Sequence, residues 1–96
     1  MLAYRRSQVG ASEQYGYGIL SVRVSVVGTR IVSVDVAHIQ TAEQYSQQLA
    51  SQVIPMLRSQ VISAQSAHIN GVSGASYTSQ AYALSVQSAL DKLHVA

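Results

Sequence analysis

Ninety-six residues, a net charge of +2 and a charged fraction of only 10% describe one small domain with a weakly charged surface. The absence of cysteine excludes disulfides, iron–sulfur clusters and thiol catalysis. No apolar run approaches the length of a membrane span, and Arg5-Arg6 is the one clustered basic pair, too little for a nucleic-acid backbone footprint. A chain this short buries a modest share of its surface, so its stability leans on a ligand or a partner. Sparse charge likewise suits a partner surface or a homo-oligomer. Met1-Leu2-Ala3-Tyr4 leads straight into Arg5-Arg6, a start that does not read as a secretory signal.

Residues 1–14 show no period and few large apolar side chains. They read as a weakly structured N-terminal arm, which leaves 15–96 as the domain proper. Tyr15, Tyr17 and Ile19 alternate, then Leu20, Val22, Val24 and Val26 alternate in the opposite phase. Gly18 beside that phase change predicts a bulge or bend. Val32, Val34 and Val36 alternate against Ser33, Asp35 and Ala37 and predict a second strand.

The pattern also sets the register. A two-residue loop, Gly28-Thr29, places Val24 opposite Ser33 and Val22 opposite Asp35, setting an apolar face against a polar one. A three-residue loop, Gly28-Thr29-Arg30, pairs Val26 with Val32, Val24 with Val34 and Val22 with Val36, and sets Arg23 opposite Asp35. Because a one-residue slip turns every side chain to the other face, the three-residue loop is the expectation.

Thr41-Ala42-Glu43-Gln44 reads as a capping box. Tyr45, Leu49, Val53, Met56, Leu57 and Val61 then recur at helical spacing. Pro55 lies inside that pattern, lacking an N–H and clashing with the carbonyl four residues back. Two helices meeting near Ile54-Pro55 fit better than one kinked helix. Residues 62–69 leave the helical pattern, and His68-Ile69 suits a short strand. A last helix spans about 78–93, burying Tyr82, Val86, Ala89, Leu90 and Leu93. The expected class is α+β: a small antiparallel sheet built on a β-hairpin with helices on one face, in the order strand, strand, helix, helix, short strand, helix. Two strands make a poor core, so further pairing is expected from residues 66–72, the N-terminal arm or a second subunit.

Between the last two apolar segments lies Asn70-Gly71-Val72-Ser73-Gly74-Ala75-Ser76-Tyr77-Thr78-Ser79. Glycines let backbone approach a ligand closely, and a helix start offers unpaired N–H groups with a partial positive charge. Together they make a seat for a phosphate; an ordinary loop with Thr78 or Ser76 as N-cap is the plain alternative. The other constellations are thin. His38, His68 and His94 lack ligand spacing, the four acidic residues are dispersed, and no nucleophile-elbow pattern surrounds Ser73 or Ser76.

Ser73-Gly74-Ala75-Ser76-Tyr77-Thr78-Ser79 resembles the Ser-Gly-Ala-Thr-Tyr-Thr-Ser signature of FMN-binding domains. That family includes the flavin-carrying subunits of sodium-pumping NADH:quinone oxidoreductases and Rnf-type complexes, and many small stand-alone domains. Gln65-Ser66-Ala67-His68-Ile69-Asn70 is similar to the family's lead-in. Tyr82, Ser85, Gln87, Ala89 and Leu90 fall where its last helix carries them, and Tyr17-Gly18 with Val22 and Val24 looks like its first strand. The likeness runs from about Tyr15 to Leu93.

The resemblance implies FMN as cofactor and an electron-transfer module rather than a self-sufficient enzyme. It would work with a redox partner protein, in an extracytoplasmic or membrane-associated setting. Cofactor contacts would come from Asn70, Ser73, Gly74, Ala75, Ser76, Tyr77, Thr78 and Ser79, with Tyr17 and Gly18. The phosphate asks for several N–H and O–H donors. The isoalloxazine ring asks for an apolar or aromatic surface, which Tyr17, Tyr77 or Tyr82 can offer; for Tyr45 and Tyr82 a packing role is the stronger expectation.

In many relatives a flavin transferase esterifies the signature hydroxyl that aligns with Ser76. Serine keeps that hydroxyl. Asn70 stands where the transferase signature carries aspartate, a departure that favours non-covalent FMN in the same loop. A flavin-free interaction or structural domain on the same scaffold is the alternative.

Overall fold

The computed structural model describes residues 4–16, 18–41 and 44–94. Four strands precede two helices: β1 (Arg5–Val9), β2 (Glu13–Tyr15), β3 (Gly18–Val27), β4 (Arg30–Thr41), α1 (Gln44–Ala64) and α2 (Ser76–Leu93). The fold is α+β, with the sheet built on the β3–β4 hairpin. β3 is central. β4 pairs along one edge of it, while β1 and β2 lie end to end along the other, all antiparallel.

The valine alternation decides which side of β3 is buried. Leu20, Val22, Val24 and Val26 face the helices and are fully buried with Ile31 and Val34 of β4. Val53, Leu57 and Val61 of α1 and Tyr82, Val86, Ala89, Leu90 and Leu93 of α2 complete the cluster. Each buried valine, leucine or isoleucine side chain among them contributes about 1.5–3 kcal/mol. The opposite face carries Ser21, Arg23 and Ser25, across from His38, Asp35 and Ser33.

The register through the valines is the expected one: Val24 faces Val34, Val22 faces Val36 and Arg23 faces Asp35. The turn is shorter than expected. Val27 pairs with Arg30, leaving the two-residue turn Gly28-Thr29. Gly28 has a φ of 63° and Thr29 does not, the requirement of a type II′ hairpin turn. A bulge reconciles this turn with the valine register. Val26 faces Ile31 and Ser25 faces Ser33, so Val32 has no opposite number and sits 41% exposed. A second irregularity falls between Ser21 and Val22, further along β3 than the bend expected at Gly18.

The N-terminal stretch differs from the weakly structured arm expected of it. Residues 5–9 pair with β3 as β1 and residues 13–15 as β2. Gly10 marks the break between them, its N–H donating to the Val22 carbonyl at 2.8 Å. α2 packs so closely there that a Cβ on Gly10 would stand 1.8 Å from the Ser85 carbonyl oxygen. The broken edge leaves backbone donors without strand partners, and α2 satisfies them. Val22 N–H donates to Ser85 Oγ at 2.8 Å and Ala11 N–H to Ser88 Oγ at 3.0 Å.

One helix, not two, covers residues 44–64, and it runs through Pro55. Pro55 points outward and is exposed, while Val53, Leu57 and Val61 hold both halves against β4. The carbonyl that proline deprives of a donor belongs to Ser51, itself an exposed residue. Of the expected capping box, Ala42 and Glu43 lie outside the described residues.

α1 ends at Ala64, and Gln65 just past it adopts a left-handed φ of 54°. Its carboxamide grips the Ile31 backbone at both ends: Ile31 N–H donates to Oε1 at 2.8 Å, and Nε2 donates to the Ile31 carbonyl at 3.0 Å. The strand expected at His68-Ile69 does not form. Residues 66–75 instead pack Ala67, Ile69, Val72 and Ala75 onto the core, filling the space between two helices that barely touch.

Candidate flavin site

The stretch from Ile69 to Ala75 is held by side chains from both helices. Gln60 of α1 accepts the Gly71 N–H at 2.9 Å and donates to the Gly71 carbonyl at 2.8 Å. Ser79 of α2, itself buried, accepts the Val72 N–H at 3.0 Å and donates to the Ala75 carbonyl at 2.8 Å. Within that frame Ala75 N–H closes a turn onto the Val72 carbonyl at 3.0 Å. Gly74, its third residue, has a φ of 83°, as a type II turn requires. Nothing lies within 4 Å of where a Gly74 Cβ would be, so the conformation calls for glycine and leaves this backbone open to a ligand.

This turn delivers the chain into α2 without a side-chain cap. The N-cap residue is Ala75, with φ −131° and ψ 44° and no capping hydrogen bond. Neither Ser76 nor Thr78 is the cap; both lie inside the helix. Serine, threonine, aspartate and asparagine dominate N-caps because their side-chain oxygens take the first-turn amides. Alanine cannot, so the amide end of the dipole is left to another acceptor.

A cleft of about 690 Å³ opens beside this helix start, lined by residues that include Asn70, Gly71, Ser73, Ser76, Ser79 and Gln80. Its lining carries no charged side chain. Asn70, Ser73, Gly74 and Ser76 are exposed, whereas Ala75, Thr78 and Ser79 are buried. Among the described residues no hydrogen bond engages the amides of Ser73 or Gly74, while the Ala75 amide is engaged within the loop and the Ser79 amide makes the first hydrogen bond of α2, to the Ala75 carbonyl. The donors facing outward are therefore neutral amides and hydroxyls at a helix N-terminus, a set that fits a phosphate dianion.

A second cleft, of about 350 Å³, lies on the other side of Gln80 and is lined by Tyr15, Gly16, Tyr77 and Leu84 among others. Tyr77 is 62% exposed and Leu84 51%. Gly18 lines neither cleft. It sits in the sheet between Tyr15 and Thr41, where a Cβ would meet the Gln40 carbonyl oxygen at 2.1 Å. Tyr17 lies outside the described residues.

Tyr82 is fully buried, and its hydroxyl has no hydrogen-bond partner among the described residues. Burial pushes its phenol well above the usual tyrosine range, which makes it a packing residue and removes it from the candidate ring surfaces. The side chain of Tyr45 lies outside the described residues. Gln60 escaped the sequence reading: a glutamine on a helix is common, and nothing in the sequence says that its carboxamide meets Gly71.

A small α+β unit thus sets a helix start without a side-chain cap beside a cleft lined by amides and hydroxyls. The FMN-binding domain family matches residues 16–91, and the chain belongs to that family, with FMN as its cofactor. No curated protein matches the chain.

Proposed function

We propose that this domain is an FMN-carrying electron-transfer module, with the flavin phosphate seated at the start of α2. The observation that carries the reading is the uncapped N-terminus. Ala75 supplies no oxygen where one is normally needed, and the exposed Ser73 and Ser76 stand at the same cleft. In this reading the amides of Ser73, Gly74, Ser76 and Thr78 and the hydroxyls of Ser73 and Ser76 hold the phosphate oxygens. The Asn70 carboxamide adds a donor without a negative charge. Tyr77, with Tyr15 and Leu84 beside it, offers a surface for the ring. FMN, when bound, supplies the one- and two-electron chemistry; the protein orients it and leaves an edge accessible to a redox partner protein.

Ser76 is exposed, so its hydroxyl is reachable by a flavin transferase. Asn70, in place of the aspartate of the transferase signature, favours non-covalent retention. Titration with FMN tests the seat: quenched flavin fluorescence and a rise in thermal stability are expected. A ligand at a hundred times its dissociation constant adds about 2.7 kcal/mol. An absence of both effects at millimolar FMN would remove the reading in favour of a flavin-free scaffold. Intact mass after co-expression with a flavin transferase distinguishes the two modes. The expectation is an unmodified mass with yellow colour released on denaturation; an adduct lost in Ser76→Ala would establish the ester instead.

A further inference from the structure

We propose that Gln60, on α1 and outside the FMN signature, is the positioning residue of the phosphate seat. This rests on the seat described above and names what holds it in shape. The loop has no ladder or helical hydrogen bonds of its own, so the direction of its amides depends on what grips it. Gln60 takes both backbone groups of one residue: the Gly71 N–H at 2.9 Å and the Gly71 carbonyl at 2.8 Å. Among the described residues these are the only side-chain hydrogen bonds joining α1 to residues 66–75.

Geometry makes Gly71 the right residue to grip. It lies between Asn70 and Val72 in the cleft lining. Its φ is 81°, and a Cβ on it would stand 3.0 Å from Ser79 Cβ. The backbone is thus caught between a fork on α1 and a wall on α2. The fork also turns the Gly71 carbonyl toward α1, so that its negative end is held by a donor instead of facing a bound anion. Two residues on, the Ser73-Gly74 turn presents the amides that the phosphate needs. Gln65 grips Ile31 by the same two-ended device, so the end of α1 and the residue just past it fix both the loop and the hairpin.

FMN and riboflavin differ by the phosphate alone, and their affinity ratio reads the seat apart from the ring surface. Apoprotein is titrated with each ligand by flavin fluorescence, for the wild type, Gln60→Leu and Gly71→Ala. Gln60→Leu removes the fork, and Gly71→Ala displaces the same backbone from the α2 side. For both variants we expect the preference for FMN over riboflavin to fall about tenfold, the equivalent of roughly one hydrogen bond to a charged group, with riboflavin affinity unchanged. A purely structural role would leave that ratio alone. An unchanged ratio in a variant that keeps the wild-type circular dichroism, or equal loss of both ligands, overturns the proposal while leaving the seat itself intact. Should Gln60→Leu fail to fold, Gly71→Ala decides by the same ratio. A wild type with no preference for FMN overturns the seat and this proposal together.

Discussion

Serines carry much of the specificity of this chain. Ser79 locks the loop, Ser85 and Ser88 satisfy the broken sheet edge, and Ser7 and Ser25 join β1 to β3 through a 2.7 Å hydroxyl contact. Against that economy the Tyr82 hydroxyl is an exception, buried without a hydrogen-bond partner among the described residues. Leaving such a group unpaired costs about 1–3 kcal/mol. Tyr82→Phe keeps the ring and is expected to raise unfolding stability by an amount of that order, measured by urea titration. The same variant tests a pH effect. Burial raises the folded-state pKa of Tyr82 above its unfolded value. The unfolded chain therefore loses this proton first, and the stabilisation is complete below about pH 10 and declines as pH rises further. Tyr82→Phe should flatten the fall of stability on the alkaline side. An unchanged alkaline slope would mean that another group, with Tyr15 next in order because burial raises its phenol too, sets that limb.

At the scale of elements, what the sequence disclosed was what a repeating pattern can encode. The valines of β3 and β4 alternate, so their register was readable. The turn was not, because Val32 belongs to the alternation by type and leaves it by geometry: the bulge places it outside the pairing. β1 gave no signal because RRSQV is exposed at four of its five positions, and β2 is only Glu13, Gln14 and Tyr15. The strands are recognisable by what they pair with, not by what they contain. The signature from Ser73 to Ser79 was legible through resemblance, whereas the helix start at Ala75 and the grip of Gln60 arise only from tertiary contacts. Pro55 misled for a related reason. Propensity argues for a break, and packing of Val53, Leu57 and Val61 overrides it. Pro55→Ala is therefore expected to stabilise α1 by about 1–3 kcal/mol, read as a higher thermal midpoint with unchanged helical content. A lower midpoint would mean that the proline shapes α1 in a way the core requires.

For the whole molecule the question is where the working unit begins. The family match starts at residue 16, but the sheet does not. β1 covers β3 from Arg23 to Val27, and Arg6 ties it to the C-terminal end of α2. Arg6 donates to the Leu93 carbonyl at 3.1 Å, and Lys92 of α2 answers by donating to the Val9 carbonyl at 2.7 Å. Removing residues 1–11 would expose one edge of β3, release the C-terminal end of α2 and strip Val22 of the Gly10 amide. The proposed phosphate seat shares none of these contacts, because Gln60 and Ser79 hold the loop from within the matched region. A chain lacking residues 1–11 is therefore expected to unfold at lower denaturant concentration while binding FMN with near-wild-type affinity wherever it is folded. Saturating FMN should return part of the lost stability, about 2.7 kcal/mol at a hundredfold excess over the dissociation constant. Equal stability of the two chains would show β1 to be dispensable. Loss of FMN affinity in the folded truncated chain would show that the edge strand shapes the proposed seat through α2, so that strand and loop do not act independently.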